Sequence, residues 1–315
     1  MKRIIALCLT IIVLASVFCG CADNTKDNGK IKVVATVFPV YDWARNIIGS
    51  DDDIDLTLLL DSGVDMHSFQ PSAQDIVKIS SCDMFIYVGG ESDKWVTDAL
   101  EEKTNKNMIV VNLMDLLKDR IKEEEITEGM EGEADGAYDE HVWLSLKNAE
   151  RACKFIDQKL ETLDPKHKNT YSHNAQSYVN KLKKLDEEYT QTVAAAKNKT
   201  LIFGDRFPFR YLTEDYGIEY YAAFAGCSAE TEASFKTIAF LSKKIDKLGA
   251  KYILKIDNSD GKVAETIIKN TRTKDQKILT LDSMQSTTPE QISKGASYLS
   301  VTEKNLKILK QIFKE

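Results

Sequence analysis

The sequence predicts an α/β fold: two lobes, each built on a parallel sheet, joined by one long rigid helix. Three observations lead there. Short continuous apolar runs alternate with amphipathic stretches over residues 31–163, the pattern of strands covered by helices on both faces. The same alternation restarts over residues 199–315. Between them, over 164–198, Tyr171, Ala175, Tyr178, Leu182, Leu185, Tyr189 and Val193 recur at spacings of three and four. That single stripe marks one helix, and at 1.5 Å per residue it makes a rod of roughly 50 Å.

The chain opens with Lys2 and Arg3, then an uncharged apolar run over residues 4–18. Such a run is short of the ~20 residues of a comfortable membrane span and reads as a secretory signal over 1–20. Cys19-Gly20-Cys21 closes it. Small residues before a cysteine resemble a bacterial lipobox, which predicts lipid on Cys21, a polar tether over 21–30, and an extracytoplasmic protein anchored at the cell membrane.

The first lobe should then run in order. Strands are expected at 31–36, 54–60, 84–88 and 108–111 and helices at 40–48, 72–79 and 94–101, with Ser72 and Asp75 forming a capping box. Residues 121–140 are acidic and aperiodic and read as a mobile surface loop. A helix follows over 146–163. Asp164-Pro165, an N-cap and a first-position proline, should start the linking helix, which runs to about 197. In the second lobe, strands are expected at 200–203, 218–222, 252–256 and 277–281. Helices are expected at 207–216, 233–248 and 262–270. Thr288-Pro289-Glu290-Gln291 should open a last helix reaching Phe313.

Composition narrows the function classes. The 315 residues are 43% hydrophobic, enough for a large core, and carry a net charge of −7 that becomes −9 once Lys2 and Arg3 leave with the signal. A negative chain argues against a nucleic-acid partner and suits the gathering of cations. Cys82, Cys153 and Cys227 remain after residue 21, without C-x-x-C spacing, so one disulfide is open but a cysteine zinc cluster is not supported.

The chemistry-bearing residues fall after strands. In open parallel sheets ligands bind beyond the carboxyl ends of the strands. His67 follows the second strand and His141 precedes the helix at 146, both in connecting segments, whereas His167 and His173 fall in the long polar helix and look solvated. Asp205, Asp257 and Asp282 each follow a strand of the second half, and Cys227 and Glu230 lie in a loop on the same side. Each lobe thus offers imidazole or carboxylate towards a shared cleft, and two imidazoles and two carboxylates suffice to enclose a divalent metal, so a metal site is expected in the inter-lobe cleft.

At these positions the chain resembles the zinc/manganese class of solute-binding proteins of bacterial ABC importers, over about residues 31–313. Gly63-Val64-Asp65-Met66-His67-Ser68-Phe69-Gln70-Pro71-Ser72 is similar to the family motif carrying its first ligand, His67. Asp139-Glu140-His141-Val142-Trp143-Leu144 is similar to the one carrying its second, His141. The resemblance implies a carboxylate ligand at Asp282. Many zinc members have a third histidine at the start of the second lobe; here the segment reads Gly204-Asp205-Arg206-Phe207-Pro208-Phe209, with Asp205 in the equivalent place. The His-rich loop of many zinc members is replaced by the acidic 121–140 segment.

The expected function is capture of a divalent metal, zinc preferred and manganese the alternative, and its delivery to an ABC permease by a monomeric carrier. A metal-dependent hydrolase is the rival class, disfavoured because no H-E-x-x-H or G-x-S-x-G is present. A surface adhesin with a merely structural metal is the third.

Overall fold

The first sheet is built from β1 (Ile31–Ala35), β2 (Ile54–Leu58), β3 (Met84–Tyr87) and β4 (Ile109–Asn112), all parallel, in the order β2-β1-β3-β4. The second comprises β5 (Thr200–Phe207), β6 (Glu219–Ala225), β7 (Tyr252–Ile256) and β8 (Lys277–Leu281), parallel again, in the order β6-β5-β7-β8. The two lobes thus repeat one topology. This computed structural model describes residues 29–132, 136–228 and 232–314. The signal, the tether up to residue 28, lipidation of Cys21, and Glu230 lie outside them.

In the first lobe the strands are connected through α1 (Phe38–Ile48), α2 (Ala73–Ser81) and α3 (Trp95–Glu101), and the short α4 (Leu113–Leu116) follows β4. Ser72 and Asp75 cap α2 reciprocally, as their spacing predicts. Two helices then cross between lobes, α5 (Leu146–Leu163) and α6 (Lys168–Ala194). The linking helix therefore starts three residues later than the Asp164-Pro165 signal predicts. Asp164 instead closes α5, accepting from Lys166 N–H at 3.2 Å and Tyr171 Oη at 2.7 Å. His167 joins that turn, its Nδ1 2.6 Å from Asp164 and 3.0 Å from Asp51, and so is not simply solvated. His173 is exposed.

The second lobe adds α7 (Arg210–Tyr216), α8 (Phe235–Leu248) and α9 (Lys262–Lys269). The last expected helix is in fact two, α10 (Pro289–Ser293) and α11 (Tyr298–Phe313), each opened by its own capping box, at Thr288/Gln291 and Ser297/Ser300.

Apolar packing does not stop at the lobe boundary. One cluster takes in Val33, Trp43 and Phe85 from the first lobe, Leu182 and Tyr189 from α6, and Phe203, Leu281 and Leu309 from the second. A smaller cluster, with Ile202, Leu241, Ile253 and Ile267, lies under α8 and α9. Buried Asp42 on α1 ties the junction: its carboxylate accepts from Tyr298 N–H at 2.9 Å and Tyr178 Oη at 3.3 Å, and pairs closely with Arg45. Ile31–Glu315 accordingly forms one compact unit. Cys82, Cys153 and Cys227 are all free thiols. Among the described residues no helix is long and apolar enough to cross a membrane.

The acidic segment after α4 is more ordered than its composition predicts. Its Glu131 exchanges backbone hydrogen bonds with β6, donating to Ala223 O at 2.8 Å and accepting from Ala225 N–H at 3.2 Å, and Glu123 bridges Tyr138. The segment is stitched along the second lobe.

Candidate metal centre

His67 sits in a single 3-10 turn, Met66–Ser68, beyond β2; His141 immediately precedes another, Val142–Leu144. Both follow an Asp-x-His pattern. Asp65 Oδ1 accepts from His67 N–H at 3.0 Å, and Asp139 Oδ1 accepts from His141 N–H at 2.8 Å. In each case a carboxylate two residues upstream fixes the local backbone and hence the aim of the ring.

The rings meet. His67 Nε2 and His141 Nε2 are 3.2 Å apart, with the ring planes edge to face. Each ring is gripped from behind at Nδ1, His67 by Ser92 Oγ at 2.7 Å and His141 by Asp139 Oδ1 at 2.8 Å. An Nδ1–H donated to a carboxylate leaves the Nε2 lone pair free for a metal. Two Zn–N bonds of ~2.0–2.1 Å at a tetrahedral angle place their nitrogens about 3.3 Å apart. The observed separation fits that geometry.

Electrostatics differ across the pair. Burial, the neighbouring His141 and Arg206 hold the pKa of His67 well below the imidazole range, against the pull of Asp65. Burial also opposes protonation of His141, but Asp139, by charge and by hydrogen bond, with Glu140 and Glu124, outweighs it and raises the pKa. Glu140 Oε1 accepts from Ser92 N–H at 2.8 Å, while its Oε2 is buried without a hydrogen-bond partner, and burial raises its pKa. Trp143 packs its ring edge against His141 and donates Nε1–H to Ser283 O at 2.9 Å, which presses the loop after β8 onto the His141 segment. In that loop the Gln285 amide comes 3.3 Å from His141 Nε2.

The carboxylates expected beside the histidines are placed differently. Asp205 is buried, but its Oδ1 accepts from Arg206 N–H at 2.8 Å and its Oδ2 from Ile256 N–H at 3.2 Å, so it locks the end of β5 to β7. It lines a cleft of about 920 Å³ with Asp65 and Arg206, whose ion pair at 2.8 Å crosses from one lobe to the other; the histidines do not line that cleft. Asp282 accepts from Met284 N–H at 2.8 Å, and burial with the nearby Asp257 raises its pKa to about 7. Asp257 organises the same loop through Ser283 N–H and Oγ, both at 2.8 Å. The third donor that the structure brings to the two imidazoles is Cys227: potential ligand atoms of His67, His141 and Cys227 all lie within 4.8 Å of one another. Neither Asp205 nor Asp282 joins that group. The sequence signal for the supporting residues was the repeated Asp-x-His; for Ser92 and Arg206 there was none, since both act across long sequence separations.

Comparison with known proteins identifies the family. Residues 33–312 match the family described as Zinc-uptake complex component A periplasmic. The chain is 32% identical over 301 residues to the zinc-binding protein AdcA of Streptococcus pyogenes (serotype M6), a match that covers 92% of this chain and 57% of that protein. It thus spans little over half the length of this relative. It is 30% identical over 294 residues to the high-affinity zinc uptake system protein ZnuA of Bacillus subtilis, covering 92% of this chain and 89% of that one. Its fold superposes on the Zn(II)-bound ZnuA-like domain of Streptococcus pneumoniae AdcA with a TM-score of 0.72 at 30% identity, over 91% of this chain and all of that domain. These relatives are named for zinc binding and uptake, not catalysis. With the family matched from the first strand to the last helix, the chain belongs to the periplasmic zinc-uptake component A family.

Proposed function

We propose that this protein captures a zinc ion outside the cytoplasm and hands it to the membrane permease of an ABC importer. The observation that carries the reading is the pair of imidazoles whose Nε2 atoms stand 3.2 Å apart with both Nδ1 atoms already engaged. His67 and His141 serve as the first two donors. Asp282 is kept as the carboxylate donor of the shell, a reading supported by the clamping of its loop to the His141 segment through Ser283 and Gln285. Asp205 keeps a structural role at the end of β5. A shell closed by protein donors suits transport, whereas a catalytic zinc keeps a position for water. Nitrogen donors favour zinc over manganese in intrinsic affinity. A lipid on Cys21 would hold the carrier beside its permease, and one chain contains the whole site, so a monomer suffices.

Calorimetric titration of the metal-stripped protein tests this. One zinc per chain should bind, and manganese far more weakly. His67→Ala or His141→Ala should abolish tight binding with the circular dichroism spectrum intact; wild-type zinc affinity in either variant overturns the reading. Saturating zinc at a thousand times its Kd should add about 4 kcal/mol to stability.

A further inference from the structure

We infer that Cys227 is a direct thiolate ligand of the bound metal, the donor that the second lobe contributes in place of the histidine absent from the 204–211 segment. The inference rests on the two-histidine reading above and names the third member of that site. Three observations carry it.

The first is proximity. Cys227 has a ligand atom within 4.8 Å of those of both His67 and His141, and no carboxylate among the described residues completes a group with them. One ion can touch all three, since Zn–S bonds of ~2.3 Å and Zn–N bonds of ~2.0–2.1 Å span such separations.

The second is how the thiol is delivered. Cys227 lies two residues beyond β6, at the carboxyl end of the second sheet. Its backbone N–H donates to Glu124 Oε1 at 2.8 Å, so the acidic segment holds the turn. Before it stands Gly226, where an added Cβ would lie 2.9 Å from Phe207 O and 3.2 Å from His141 Cε1. Only glycine lets this turn approach the imidazole so closely.

The third is the fate of the alternatives. Asp205, in the place equivalent to a third histidine, has its carboxylate committed to two backbone N–H groups. Cys227 forms no disulfide, and the other two free cysteines, Cys82 and Cys153, are buried. On coordination the thiol proton passes to solvent and the sulfur electron pair to the metal. A thiolate beside two imidazoles selects zinc or another thiophilic ion and disfavours manganese.

Cobalt(II) titration of the metal-stripped protein, followed by absorption, separates the possibilities. The wild type should show ligand-field bands of a low-coordinate site together with an intense near-ultraviolet sulfur-to-cobalt charge-transfer band. Cys227→Ser should lose the charge-transfer band while retaining ligand-field bands from the histidines. Its zinc affinity should fall by roughly a hundredfold and its manganese affinity by less than about threefold, as expected for loss of a soft donor. Stoichiometric cobalt binding without the charge-transfer band overturns the assignment of Cys227 and leaves the histidines standing. A band that persists in Cys227→Ser also overturns it. No cobalt or zinc binding at all overturns both readings.

Discussion

At His141 burial and charge pull in opposite directions, and charge wins, so its pKa is raised while that of His67 is lowered. Metal needs both rings neutral. Acidification therefore protonates His141 first, and zinc affinity should begin to fall above the ordinary imidazole value of ~6.5. Ring titrations by NMR on the metal-free protein check the order; His67 titrating above His141 would refute it. Gly226→Ala should weaken zinc by about tenfold, or 1.4 kcal/mol, because the new methyl meets Phe207 O and His141 Cε1; unchanged affinity would show that the turn has slack. At this scale the two histidines were legible because each lies in a short motif whose chemistry is local. The role of Asp205 was not. The pairing of β5 with β6 shifts register between Phe203 and Arg206, and such an irregularity breaks the strict alternation by which a sequence tells inward from outward side chains. Cys227 was visible as a soft donor but not as a neighbour of the histidines, since its distance to them is set by a glycine contact 85 residues from His141 in sequence (positions 226 and 141).

The turn between β3 and α3 positions the His67 ring through Ser92, and Asp93 holds that turn. Asp93 Oδ2 accepts from Val88 N–H at 3.0 Å and Gly89 N–H at 2.9 Å. Burial, with Glu140 nearby, raises its pKa from 3.8 to about 6 despite those bonds. An acid with a raised folded pKa contributes stability that is complete below its unfolded value and is lost as pH rises through the folded one. Metal-free protein should therefore lose of the order of 2 kcal/mol from this group between pH 4 and 7. Asp93→Asn keeps an acceptor for both N–H groups and should flatten that part of the profile in urea titrations. An unaltered slope would mean the carboxyl is ionised throughout. Strands and capped helices were the legible elements, because period and capping residues act within a few positions. The break between α10 and α11 was hidden, since apolar residues continue in helical period across it; Gly295, with φ of +94°, and the second box at Ser297 make the interruption. The start of α6 was misplaced because Asp164 spends its carboxylate on Tyr171 and His167, a tertiary use that overrides its local capping propensity. The acidic segment gave no periodic signal because its order comes from bridges to β6.

Across the whole molecule the shared core makes the two lobes one mechanical body. Asp42→Ala would leave the buried Tyr298 N–H and Tyr178 hydroxyl without their acceptor, and should cost roughly 2–4 kcal/mol in denaturant unfolding. The zinc affinity of the folded variant should be unchanged, and a parallel loss of affinity would place the α1–α11 junction in the binding mechanism. Zinc should leave the small-angle scattering profile unaltered and instead slow hydrogen exchange in the loops holding His67, Cys227 and Asp282; a large lobe rotation would contradict the continuous core. The identical strand order of the two sheets has a different kind of consequence. Both imidazoles come from the first half, whereas the sulfur comes from the second. The molecule thus separates a fixed grip from an adjustable one: exchanging a single donor on the second half can retune which ion is carried, while the half that anchors it is left untouched.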